Sequence, residues 1–158
     1  MKTKMISKKP SESETIMTEV VCPNDTNPMG LLFGGKLIQW MDIASAVTAE
    51  IHSGRVAVSA AVDGVIFKRP AKTGDIISIK AKITRAFETS MEIFVEVWTR
   101  KVISKEKHMT NAAYFTFVAL DEDGHPAKVP AVTPGTKEEK RHFVQALERR
   151  KKRIKIKS

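Results

Sequence analysis

The sequence predicts a single α+β domain in which a curved antiparallel β-sheet wraps around one long central helix. Three observations predict it. Apolar residues recur at helical steps over one internal segment, 36–52. Four long strand-like segments follow, and the connections between them hold only a few residues. Such short connections favour antiparallel neighbours, because a parallel crossover needs roughly a dozen residues or more. No strand–helix–strand alternation occurs, which argues against a doubly wound parallel sheet.

The elements follow in order. Residues 1–14 are polar and read as a flexible basic segment. A first strand over 15–21 leads into a loop rich in turn formers: Pro23, Asn24, Asp25, Asn27, Pro28 and Gly30. In the helix, Leu37, Trp40, Met41, Ala44, Val47 and Ile51 recur every three or four residues and are expected to form one buried face. Ile38, Ala46 and Ala49 add a second apolar side, so the helix is expected to be enclosed over more than half its circumference. Strands are expected at 56–67, 75–87, 90–102 and 109–121. Ile77, Ile79, Ala81 and Ile83 alternate with Ser78, Lys80 and Lys82, which predicts one dry and one wet face. Met91, Ile93, Val95 and Val97 share one face of the next strand. Its other face carries Glu92, Phe94, Glu96 and Trp98, where the two aromatics suit a further buried contact. This order is the hotdog architecture. The domain is expected over 15–135, and 136–158 as a C-terminal helix with a basic tail, carrying Phe143, Leu147 and Ile154 on one side.

At 158 residues, 42% of them hydrophobic and 28% charged, the chain has the composition of an ordinary globular domain. The lone Cys22 cannot form an internal disulfide, no apolar run reaches the ~20 residues of a membrane span, and the start lacks the apolar stretch of a signal peptide. The expected location is the cytoplasm. The net charge of +9 sits at the ends: 136–158 holds ten basic and three acidic residues, 1–14 four and two, and the remainder thirteen of each. The body is neutral, so specific nucleic-acid binding is not expected.

Candidate chemistry is sparse. Gly30–Lys36 imitates the first seven positions of a P-loop, but Leu37 stands where the magnesium-binding Ser or Thr is required, and no βαβ unit surrounds it. Gly34 and Gly35 fall at the helix start. Their backbone N–H groups can polarise a carbonyl there, or the glycines simply permit tight packing. Asp42 interrupts the helix among Ile38, Trp40, Ala46 and Ala49. Buried, it becomes a competent general base; turned outward, it is an ordinary helical carboxylate. Asn27 either orients a water or substrate or makes a turn. His52, His108, His125 and His142 are scattered without metal-ligand spacing and read as surface residues, and no G-x-S-x-G elbow exists. No metal is expected.

The segments NDTNPMGLLFGGKLIQWMD (24–42), VDGVIFKRPAKTGD (62–75) and FETSMEIFVEVW (87–98) together resemble the hotdog-fold acyl-coenzyme A thioesterases of the brain acyl-CoA hydrolase and bacterial YciA type. The resemblance covers roughly 15–121. It implies an acyl-CoA hydrolase in which Asp42 is the catalytic carboxylate and Asn27 its polar companion, acting across a dimer interface. It implies that the Gly34 and Gly35 amides polarise the thioester carbonyl. Lys68 and Arg69 match the basic stretch near the coenzyme A phosphates, and Thr89 and Ser90 its hydroxyl pair; Arg55 and Arg85 are further candidates. Coenzyme A enters as part of the substrate and leaves as product, and no other cofactor is implied. The resemblance also implies dimers assembled into a trimer of dimers. A hotdog dehydratase or a non-catalytic acyl-CoA-binding protein is the alternative, although the helix start lacks the His typical of the dehydratases. The tail from Arg149 onward suits electrostatic steering of the polyanionic ester.

Overall fold

The computed structural model describes residues 6–157. Five strands, β1 (Thr15–Val20), β2 (Ala57–Asp63), β3 (Ile76–Ala86), β4 (Ser90–Arg100) and β5 (Lys107–Ala119), form one sheet in the order β1-β3-β4-β5-β2. Every neighbouring pair is antiparallel. Helix α1 (Gly34–Ser53) lies on one face and packs Leu37, Trp40, Met41, Ala44 and Ala49 onto the sheet. The sheet answers with Ile77, Ile79, Ala81 and Ile83, then Met91, Ile93, Val95 and Val97, then Ala113, Phe115, Phe117 and Ala119. The alternation read in β3 and β4 is the one observed. β2 is shorter than expected: after Asp63, Gly64 takes a left-handed φ of 72°, and residues 64–70 leave the sheet as a loop.

The expected enclosure of α1 is corrected. Val47 and Ile51 are 38% and 51% exposed, and with Ile43 they form an apolar stripe facing away from the sheet. The buried side carries polar residues in their place. Ser45 donates to the Met41 carbonyl (2.7 Å), Thr48 reaches Thr15 Oγ1 (2.9 Å), and His52 meets the Pro130 carbonyl (2.8 Å). Each of these side chains makes at least one hydrogen bond as it is buried, which makes the burial tolerable, although His52 Nδ1 has no partner among the described residues. The apolar positions at three- and four-residue steps therefore span two faces of the helix, and the sheet covers one of them.

The termini also differ from expectation. Lys8 pairs with residues 131 and 133 through backbone bonds of 3.0 and 2.9 Å, and Ser13 is buried, so residues 8–13 lie against the body. Residues 1–5 of the expected flexible segment lie outside the described residues. The C-terminal segment is a continuous helix, α2 (Lys137–Lys157), on the sheet face opposite α1. A capping box starts it: Thr136 Oγ1 accepts the Glu139 N–H (3.1 Å), and Glu139 Oε2 accepts the Thr136 N–H (3.0 Å). Phe143 packs against the core as expected and Ala146 is fully buried, whereas Leu147 and Ile154, expected on the same side, are exposed. Phe94 obtains its buried contact from α2, with its ring 4.6 Å from His142 and 5.0 Å from Tyr114. Trp98 is instead covered by Lys107, 5.5 Å over the ring.

Burial pushes both His52 and His142 below their ordinary value of 6.5, so these residues, expected at the surface, resist charging inside the fold. Burial alone would raise Glu139, but the Lys82 ammonium and the Thr136 and Gly135 amides outweigh it and bring the carboxyl down from 4.5 to about 2. The signs follow from proton counting. For a histidine lowered on folding, the unfolded chain binds more protons below pH 6.5, so its stabilisation is present above that value and lost as pH falls below it. Glu139 holds its contribution above 4.5 and loses it as pH falls towards about 2. Thermal melts between about pH 8 and about pH 3 are expected to show one decline that starts near 6.5 and a second that starts near 4.5. A flat profile down to about pH 5 would contradict the histidine assignment.

Candidate active site

The loop before α1 is shaped by its own side chains. Asp25 Oδ2 accepts the Cys22 N–H (2.9 Å), and the Phe33 N–H bonds the Asp25 carbonyl (2.9 Å). Asn27 does what a turn-forming Asn does: its Oδ1 accepts the N–H groups of Met29 (2.9 Å) and Leu31 (3.2 Å). Those two donors decide the amide orientation, so Nδ2 is left as a donor with no acceptor among the described residues. Turn maker and polar companion are thus compatible roles for opposite ends of one amide.

Helix α1 begins immediately afterwards. Phe33 occupies the N-cap and supplies no side-chain cap, and the Gly34 and Gly35 N–H groups have no acceptor among the described residues. Two unpaired amides at the positive end of a 20-residue helix favour an oxygen carrying negative charge. A side chain at either glycine would also push an exposed phenylalanine ring aside. A Cβ on Gly34 would lie 3.3 Å from the Phe67 ring, and one on Gly35 2.8 Å from Phe33. Packing and polarisation are therefore both served.

Asn27 and Gly34 face a cleft of about 810 Å³, which runs under the N-terminus of α1 to the end of the sheet. Leu31, Leu32, Leu37, Phe67, Ile77 and Val97 make its walls apolar, and Arg69 stands at it as the sole ionised residue. Thr99 and Thr110, whose hydroxyls pair at 3.1 Å, and Asn111 are its polar lining. Asn111 Nδ2 donates to the Ile66 carbonyl (2.7 Å), and the Lys68 N–H bonds the Thr110 carbonyl (3.3 Å), so loop 64–70 is tied over the cleft. The sequence reading did not single out Phe67, Thr99, Thr110 or Asn111. Their signal was polarity on an otherwise apolar strand face: Asn111 shares its side of β5 with Ala113, Phe115 and Phe117.

The other candidate residues do not converge here within one protomer. Asp42 is half-buried, on the boundary of the helix's buried face, and makes no hydrogen bond or ion pair among the described residues. Of the two alternatives the sequence left open, the single chain realises neither full burial nor full exposure. Eight residues separate it from Gly34, about 12 Å along the axis. Arg55, Thr89 and Ser90 sit at the far end of β5, where the Ala119 N–H bonds the Thr89 carbonyl (3.0 Å) and Val118 is paired with Ser90 and Val58. That end is about 26 Å from Asn111 along the strand. Ser90 Oγ accepts from Arg150 (3.3 Å). Arg85 is engaged with α2, its guanidinium 4.0 Å over the Phe143 ring and its Nη1 on the Phe143 carbonyl (3.0 Å). Lys68 is exposed on its loop.

A second cavity, about 460 Å³, opens on the other face of the sheet between α2 and Lys80, Lys82, Phe94 and Glu96. Asp121, Asp123 and His125 are the one group among the described residues that could converge on a cation, but Asp121 Oδ1 already accepts the N–H groups of the other two in an exposed turn. No helix among the described residues is long and apolar enough to cross a membrane.

Comparison with known proteins agrees with this geometry. Residues 29–104 match the thioesterase superfamily model. The acyl-CoA thioester hydrolase YciA of Salmonella typhimurium is 38% identical over 123 residues, which span 75% of this chain and 92% of that protein. An apo-hexameric acyl-CoA thioesterase superposes with a TM-score of 0.92 at 38% identity, over 97% of this chain and 99% of the other. The acyl-CoA hydrolase of Staphylococcus aureus, solved with butyryl coenzyme A and coenzyme A, superposes at 0.86 with 38% identity, over 96% of this chain and 94% of that one. With a hotdog sheet, a helix start that presents free amides to an apolar cleft, and likeness over nearly the whole chain, this protein belongs to the acyl-CoA thioester hydrolases of the thioesterase superfamily.

Proposed function

We propose that the protein hydrolyses acyl-coenzyme A thioesters to a carboxylic acid and coenzyme A at a site shared by two protomers. The observation that carries this reading is a helix start with unpaired Gly34 and Gly35 amides, at which Gly34 and Asn27 together line an apolar cleft. The acyl chain occupies the cleft. The thioester oxygen lies against the amides, which stabilise the negative charge it gains on attack. Asp42 of a second copy takes a proton from water as its oxygen bonds the carbonyl carbon, and Asn27 Nδ2 holds that water. The C–S bond then breaks, and the sulfur leaves as a thiolate, a group good enough to need no metal. Lys68 and Arg69 stand where phosphates of coenzyme A would gain from positive charge.

The second copy is argued from the sheet. β2 is an edge strand whose Val58 and Val62 are 46% and 41% exposed, and it adjoins the apolar stripe of Ile43, Val47 and Ile51. Such an edge invites antiparallel pairing with its twin about a two-fold axis. The axis sets the two α1 helices antiparallel. The end that bears Arg55, Thr89 and Ser90 in one protomer then approaches the Asn27 cleft of the other, and Asp42 gains the cover it lacks alone. Three such dimers make the hexamer expected for this family, working in the cytoplasm. Release of free thiol from acyl-CoAs ranging from acetyl to palmitoyl tests the activity. Turnover with at least one chain length is expected. Binding without thiol release would favour the non-catalytic acyl-CoA-binding reading, and reversible hydration of a 2-enoyl thioester the dehydratase.

A further inference from the structure

Glu92 is an outward-facing residue of β4, yet it is fully buried beneath α2. Four donor groups satisfy it. Thr84 Oγ1 donates at 2.6 Å, Arg149 donates through Nε at 3.1 Å and Nη2 at 2.8 Å, and Arg153 Nη1 donates at 3.1 Å. Arg149 also lies 3.8 Å over the Tyr114 ring, which fixes its plane. Arg149 and Arg153 are one helical turn apart, so both reach the same carboxylate. The two arginines differ in what else they hold. Arg149 bonds the His142 carbonyl of its own helix (3.0 Å). Arg153 Nη1 reaches across to Asp63 Oδ2 (2.9 Å), the last residue of β2, while its Nη2 is buried without a partner among the described residues.

Asp63 is where the edge strand ends and loop 64–70 begins. Downstream, that loop is held by Asn111 at Ile66 and by Thr110 at Lys68. Upstream, Asp63 is paired with Tyr114 in the sheet, and its side chain is held by the Arg153 ion pair. A buried ion pair is weak evidence of added stability, because desolvation offsets attraction; what it supplies readily is position. The outer helix thus sets the origin of the loop that carries Phe67 and Arg69 to the cleft on the other side of the sheet.

We infer that Arg153 is a positioning residue for substrate binding: clamped on buried Glu92, it holds Asp63 and thereby places loop 64–70 with its Lys68 and Arg69. The inference rests on the proposed acyl-CoA site. It also gives part of the basic tail a task other than steering: Arg149 and Arg153 face inward and are paired, whereas Lys151 and Lys152 face solvent.

The test compares the two arginines. Arg153→Met keeps an unbranched stem under the sheet and removes the Asp63 contact; Arg149→Met removes a comparable buried pair and leaves β2 untouched. Both are expected to lower Tm by roughly ten degrees. Only Arg153→Met is expected to raise KM for acyl-CoA, and Kd for free coenzyme A, by roughly ten-fold with kcat within about two-fold. Arg153→Lys, which retains a charge at Asp63, should recover part of the loss. Asp63→Asn, at a partly exposed position, should reproduce the KM change with little loss of Tm and should not add to Arg153→Met. Equal KM shifts in the Arg149 and Arg153 variants, or an unchanged KM in Asp63→Asn, would overturn the assignment. Coenzyme A binding without thioester turnover in the unaltered protein would defeat the hydrolase reading alone, and the positioning role would still be read from Kd.

Discussion

Asp42→Asn is expected to lower kcat by roughly 10²–10⁴ while KM stays within about three-fold. The carboxylate makes no hydrogen bond or ion pair among the described residues, so its replacement by an isosteric amide removes no contact seen there, and Tm should move by less than about 2 °C. That separation of kcat from stability makes the substitution informative. A core residue of α1 such as Met41, fully buried, would lose activity and fold together. Asparagine can still orient a water but cannot accept its proton at neutral pH, so the residual rate measures what the Gly34 and Gly35 amides and the cleft achieve alone. Steady-state thiol release with the two proteins at equal concentration checks the prediction. A kcat within about three-fold of the unaltered protein would remove Asp42 from the proposed mechanism.

The second large effect concerns where Asp42 acts. Within one chain it lies about 12 Å along α1 from Gly34, too far to share a substrate carbonyl with those amides. Mixing two inactive proteins tests the alternative. Asn27→Asp keeps the oxygen that accepts from Met29 and Leu31, so the turn survives, but it removes the Nδ2 donor from the cleft. Asp42→Asn and Asn27→Asp are each expected to be nearly inactive. Refolded together at equal amounts, random pairing makes half the dimers mixed. Each mixed dimer contains one site with both residues intact, so about a quarter of the original activity should return. If both residues served the same protomer's site, mixing would restore nothing. Val58→Lys, at an exposed position of β2, provides the complementary result: it should abolish turnover by separating the protomers while leaving each one folded.

The placement of the candidate residues shows where sequence reading stopped. Asn27, Gly34 and Arg69, taken from the segments that carried the resemblance, line one cleft. Thr89, Ser90 and Arg55 matched or neighboured similar segments, yet they stand at the opposite end of the sheet. A linear motif preserves order along the chain but carries no information on which copy of the chain contributes each part. Phe67 and Asn111 were missed for a related reason. Residues 56–67 read as one continuous strand, which kept Phe67 in the sheet, and the place of loop 64–70 over the cleft depends on a hydrogen bond that the Ile66 carbonyl accepts from a residue 45 positions later.

By itself the sequence determined the order of elements, the antiparallel sheet and the inward faces of β3 and β4, because alternating polarity is a property of a single strand and needs no partner to be read. Tertiary structure alone decided which apolar stripe of α1 is covered, why His52 is inside and Ile51 outside, and that Arg149 and Arg153 turn inward to Glu92. The physical reason is that a helix bearing apolar residues on two sides has no preferred face until a sheet is packed on one of them. Likewise, an arginine in a basic run stays in water until a buried carboxylate is within its reach.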